Sequence, residues 1–156
     1  MKKLYVFLFI LFFLGFRNPV SAQNVVINEI MSTNTTSIAD ENATHQDWIE
    51  LYNTGTTAVN LSGYGLSNDA TLLYKWVLPN VSLAAGQYLL IWCSGKNRTV
   101  VGSPLHTNFS ISPSGDPILL SNTSGIVVNS IPSTEILPNI SYGRLPNGTG
   151  AFVFFE

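Results

Sequence analysis

No apolar period of about 3.6 residues persists for ten positions anywhere beyond the N-terminal segment, so the chain lacks the pattern a packed helix requires. Short β-rich runs recur instead, at Val25 to Ile30, Asp47 to Tyr52, Ala58 to Leu61, Tyr74 to Leu78, Gln87 to Cys93, Pro117 to Ser121, Ile126 to Ile131 and Ala151 to Phe155. The second run alternates cleanly: Trp48, Glu50 and Tyr52 share one face, Ile49 and Leu51 the other. The first alternates only late. Turn clusters such as Asn53-Thr54-Gly55, Leu83-Ala84-Ala85-Gly86, Ser114-Gly115-Asp116 and Asn122-Thr123-Ser124-Gly125 separate the runs, with glycines able to take positive φ. One sheet cannot cover its own apolar face. The pattern therefore predicts an all-β sandwich of about 7–9 short strands, with a closed barrel as the alternative. No linker, repeat or second domain interrupts it.

The N-terminus carries an address. Met1-Lys2-Lys3 is a short basic stretch, Leu4 to Phe16 is a 13-residue apolar run, and Val20-Ser21-Ala22 offers small residues for cleavage before Gln23. The run falls short of the ~20 residues a membrane helix needs, so a secretory signal over residues 1–22 is expected rather than an anchor. The mature domain is then 23–156, placed outside the cell or at its surface, and a bacterial source is expected. The last residues, Phe152-Val153-Phe154-Phe155-Glu156, would leave an apolar strand edge at the terminus, which suggests a truncated C-terminal end.

Charged residues make up only 10% of the chain, whereas Asn, Ser and Thr number 15, 16 and 13. Solubility rests on neutral polar groups. Without Lys2, Lys3 and Arg17 the mature balance is four basic to nine acidic residues, which argues against nucleic acid, whose phosphates demand Lys and Arg. A lone Cys93 and two histidines rule out multi-cysteine zinc sites and internal disulfides. Nine Asn-x-Ser/Thr triplets begin at Asn34, Asn42, Asn60, Asn80, Asn97, Asn108, Asn122, Asn139 and Asn147; in a bacterial protein most would go unglycosylated.

Seven motifs in order carry a family likeness. They are Val26-Ile27-Asn28-Glu29-Ile30-Met31, Asp47-Trp48-Ile49-Glu50-Leu51-Tyr52-Asn53, Leu61-Ser62-Gly63-Tyr64-Gly65-Leu66-Ser67-Asn68-Asp69 and Lys75-Trp76-Val77-Leu78-Pro79. Leu83 to Trp92, Leu105-His106-Thr107-Asn108-Phe109 and Ser141 to Gly148 complete the series. Residues 25 to about 148 resemble a lamin-tail domain of the secreted bacterial type. The resemblance implies an immunoglobulin-like β-sandwich that serves as a non-catalytic accessory module. The basic surface of the nuclear lamins is missing, so their partners are not expected here.

The densest acidic region holds Glu29, Asp40, Glu41, Asp47 and Glu50. Converging carboxylates suit Ca²⁺, which takes roughly 6–8 oxygen ligands, and Asp40, Glu41, Asp47 and Glu50 are the candidate ligands. The competing reading is structural, with Arg144 and Lys75 as ion-pair partners for the strand carboxylates. His106 is a candidate base or ligand, and a Cys93–His106 dyad is conceivable, although Cys93 reads as a core residue and His106 as a hydrogen-bonded loop histidine. Among the aromatics, Tyr64 and Trp76 are expected to be exposed and to stack on a ligand, with Trp48 and Trp92 in the core.

The functional expectation is a secreted module without cofactor that binds a protein or polysaccharide at the cell surface. The alternatives are a small metal-assisted hydrolase around Glu29, Asp47 and Glu50, and a spacer in a larger secreted protein.

Overall fold

The computed structural model describes residues 24–156; the expected signal peptide lies outside the described residues. Twelve strands follow in order: β1 (Val25–Met31), β2 (Asp47–Asn53), β3 (Val59–Asn60), β4 (Gly65–Ser67), β5 (Trp76–Val77) and β6 (Ser82–Leu83), then β7 (Tyr88–Cys93), β8 (Leu105–His106), β9 (Ile118–Ser121), β10 (Val127–Ile131), β11 (Ser141–Leu145) and β12 (Ala151–Phe155). Seven of them have four residues or more, and the others are pairing points two or three residues long. Among the described residues there is no helix, and so none long and apolar enough to cross a membrane.

The strands form a six-stranded sheet in the order β12-β11-β1-β2-β7-β8, a four-stranded sheet β10-β9-β4-β5 and a small β3-β6 pair. Neighbours run antiparallel except β7 and β8. The apolar residues of period two meet between the two larger sheets. Ile27, Ile30, Ile49, Leu51 and Ile91 from one side pack with Leu66, Trp76, Ile118, Leu120 and Ile131 from the other, all nearly or fully buried. Removing such side chains from water stabilises the fold by about 1.5–3 kcal/mol each. The alternating β-rich pattern thus closes into the all-β sandwich that it predicts.

The ragged alternation of the first run has a physical cause. A β-bulge between Ile27 and Glu29 interrupts the β1–β2 register. Ile27 pairs with Leu51 and Glu29 with Glu50, so the extra residue, Asn28, shares the outer face with Glu29 while Ile27 and Ile30 keep to the core. At the bulge the Ile27 N–H donates to Asn129 Oδ1 of β10 (3.0 Å), and its carbonyl accepts from Arg144 Nε (3.2 Å). Both backbone groups are satisfied, as burial demands.

The abundance of asparagine also finds a structural use. Asn53, Asn60 and Asn122 each accept, through Oδ1, the N–H of the residue two positions on, at 2.8–2.9 Å, and Asp40 and Asp69 do the same. These side chains supply the turn's own acceptor and so fix loop geometry with little charge. Asn53, fully buried, also donates to the carbonyls of Thr57 (2.8 Å) and Leu83 (2.9 Å), tying three segments together.

Candidate functional site

The acidic residues do not converge on one point; they divide among three places. Asp40 sits in the loop between β1 and β2, where its Oδ1 accepts the N–H groups of Asn42 (2.9 Å) and Thr44 (3.0 Å). Its buried Oδ2 pairs with the Lys96 ammonium from the loop after β7. Burial alone would raise this carboxyl, but Lys96 and the two N–H donors outweigh it and hold the pKa at about 2. Glu41 receives Arg98 and lies 3.1 Å from His106 Nε2. Its pKa is likewise lowered, burial being overcome by its own backbone N–H and these two basic neighbours.

His106 is fully buried on β8, with Nδ1 2.8 Å from Ser94 Oγ. Asp40, Glu41 and His106 thus offer three potential ligand atoms within 4.8 Å of one another. Ser94, His106 and Glu41 also stand in hydroxyl–imidazole–carboxylate order. Arg98 shares the carboxylate, however, and Ser94 Oγ accepts the Lys96 N–H (3.3 Å). The neighbouring pocket is lined by Glu41, Arg98, Val100, Ser103 and Pro104, without Ser94. The arrangement is that of a clamp joining two loops.

Asp47, at the start of β2, accepts the N–H of Thr33 at Oδ1 (2.8 Å) and of Ile111 at Oδ2 (3.1 Å). Burial raises its pKa in spite of those bonds. Opposite it on β7, Cys93 is buried, and desolvation pushes its thiol far up, so it supplies no thiolate. Its thiol lies against Thr107, and the conceivable Cys93–His106 dyad is not formed: Trp92 and not Cys93 shares a register position with His106, whose ring nitrogens face Ser94 and Glu41.

Glu50 belongs to a third place, the outer face of the six-stranded sheet. It stands directly opposite Glu29 on β1, and its Oε1 accepts from Asn28 Nδ2 (2.8 Å). Burial chiefly, with Glu29 beside it, raises the Glu50 pKa against the pull of Asn28. The anticipated partners go elsewhere: Arg144 donates to the carbonyls of Ile27 and Gly150, and Lys75 to Asn68 Oδ1 (2.7 Å).

The same face carries a pair of aromatic rings. Tyr52 and Tyr88 are register partners on β2 and β7, stacked with centroids 4.4 Å apart and planes 22° from parallel. Tyr88 is 43% exposed, and its hydroxyl accepts from Asn147 Nδ2 (2.8 Å). Asn28 Nδ2 reaches Asn147 Oδ1 (3.4 Å), and Asn28 Oδ1 accepts the Gly148 N–H (2.8 Å). Gly148, at φ +76°, lies against the Tyr52 ring, where a Cβ would come within 2.7 Å of a ring carbon. The bulge, the β11–β12 turn and the two tyrosines are therefore one assembly.

The aromatic expectation needs correction. Trp76 is only 2% exposed, because β5 pairs with β4 in the smaller sheet and points the indole into the core. Tyr64 is half-buried and packs against the same core. Trp48 and Trp92 are buried, yet on the outer face with Met31, not between the sheets. Alternation already placed Tyr52 with Glu50; the β2–β7 register that brings Tyr88 beside it was not readable from either run alone.

The lamin tail domain family model matches residues 18–135, about three quarters of the chain, in agreement with this immunoglobulin-like sandwich. The chain belongs to the lamin tail domain family. A comparison with curated proteins gave no match. The matched span holds β1 to β10 of this lamin tail domain, with the bulge at Asn28, both tyrosines and the loop clamp. Asn147 and the β11–β12 turn lie beyond it.

Proposed function

We propose that this lamin tail domain is a secreted, non-catalytic module that holds a protein or polysaccharide partner at the cell surface by contact over the outer face of β1, β2 and β7. Family membership supports a non-catalytic immunoglobulin-like module. The carrying observation is the exposed Tyr88, backed by Tyr52 and pinned through Asn147, because rigid aromatic surface loses little freedom on binding. The hydrolase alternative has less support, since Asp47 is bound to two backbone N–H groups and stands apart from Glu29 and Glu50. A cation at Asp40, Glu41 and His106 is the metal reading with the best donor set; the imidazole favours a transition ion over Ca²⁺. It requires Lys96 and Arg98 to leave the carboxylates they now neutralise.

The test is co-sedimentation of the purified full-length chain with washed cell envelopes. The chain is expected to pellet with them, and Tyr88→Ala to stay largely in the supernatant. No sedimentation of the parent chain, or equal sedimentation of the variant, overturns the assignment.

A further inference from the structure

The outer face of the large sheet combines one accessible aromatic ring with a line of polar side chains. Tyr88 has one ring face against Tyr52, and its exposed remainder is open to a ligand. From its hydroxyl the hydrogen bonds run through Asn147 and Asn28 to Glu50, with Glu29 across the strand. On this face Met31, Trp48 and Trp92 are buried and Leu90 is half-buried against them, so the ring offered to a ligand is that of Tyr88, bordered by amides and carboxylates, whereas a protein interface centres on a wider exposed apolar patch ringed by polar groups. A pyranose with equatorial hydroxyls matches it: its C–H face stacks on an aromatic ring while hydroxyls at its edge pair with amide and carboxylate groups.

Charge narrows the class further. Neither Glu29 nor Glu50 joins an ion pair among the described residues. Of the four basic residues described, Lys96 and Arg98 are bound in the loop clamp, Lys75 contacts Asn68 and Arg144 serves backbone carbonyls. Uronate, sulfate or phosphate groups would meet two uncompensated carboxylates and no free cation. This step rests on the surface-module reading and deepens it. We propose that the Tyr88 face binds a neutral polysaccharide of the glucan type, by stacking on Tyr88 and hydrogen bonding to Asn147 and Glu50.

Affinity electrophoresis of the full-length chain through gels containing hydroxyethylcellulose or laminarin, with alginate as the anionic counterpart, decides it. The neutral glucans are expected to at least halve the mobility and alginate to leave it unchanged. Tyr88→Ala abolishes the retardation, Tyr88→Phe keeps most of it, and Tyr74→Ala, on an exposed tyrosine in the turn before β5, leaves it intact. Circular dichroism melts confirm that each variant is folded. Retardation by alginate, or equal retardation of Tyr88→Ala, overturns the proposal. If the chain sediments with envelopes but neither glucan slows it, the glycan assignment falls while the module reading stands; if it does neither, both fall.

Discussion

Replacing Glu50 by Gln should stabilise this protein, and only above the acid range. Glu50 and Glu29 are direct cross-strand partners, and among the described residues neither forms an ion pair. Like charges in that position destabilise a sheet by roughly 0.2–1 kcal/mol. The amide keeps an acceptor for Asn28 and removes the repulsion and the desolvated charge. A carboxyl whose pKa is raised on folding binds more protons folded than unfolded, so its burden grows as pH rises through that pKa and vanishes below the unfolded value. For the 133 residues from 24 to 156, an unfolding entropy of about 2.1 cal/mol/K per residue turns 1 kcal/mol into roughly 3–4 °C. Thermal melts followed by circular dichroism should show Glu50→Gln about 1–4 °C above the parent near pH 7, with little difference near pH 4. Salt at about 0.5 M should shrink the gain by screening. A loss of stability near pH 7, or the same gain at both pH values, would refute the reasoning, because the carboxylate would then have a favourable partner.

Three other perturbations probe different parts of the fold. Lys96→Met leaves the buried Asp40 carboxylate with only its two N–H donors and should lower stability by about 1–3 kcal/mol in urea titrations near neutral pH. Since the Asp40 pKa is depressed, its contribution is complete above the unfolded value of 3.8 and is lost as pH falls toward about 2, so parent and variant should converge in acid. Trp76→Ala should cost about 3–5 kcal/mol, read as a shifted urea midpoint; a shift below 1 kcal/mol would mean the indole is not a core residue. Asn53→Ala strands the carbonyls of Thr57 and Leu83 and the N–H of Gly55, and should cost about 2–4 kcal/mol with faster hydrogen exchange at Gly55.

The strands of regular period were open to reading. Trp48, Glu50 and Tyr52 do face one way, with Ile49 and Leu51 the other, because β2 is central in its sheet and free of irregularity. β1 was only half legible, since one inserted residue at Asn28 reverses the parity of everything after it. Trp76 illustrates another limit. Its polar neighbour Lys75 suggests exposure, but in a two-residue strand the pairing partner, not the neighbours, decides which way a side chain points. The site was least legible, because Asp40, Lys96, Glu41, Arg98 and His106 meet only when two loops some 55–65 positions apart pack together. Residue spacing along the chain holds no record of that meeting.

The latch from Asn28 to Asn147 and Gly148 joins positions 119 and 120 residues apart. Contacts of such separation are closed at high entropic cost and form slowly. Tyr52 and Tyr88 are joined by the nearer β2–β7 pairing, whereas the amide that pins the Tyr88 hydroxyl comes from Asn147, in the turn between β11 and β12. The surface that would meet a ligand is thus complete only when β1 and the β11–β12 turn have met, and its presence certifies that closure.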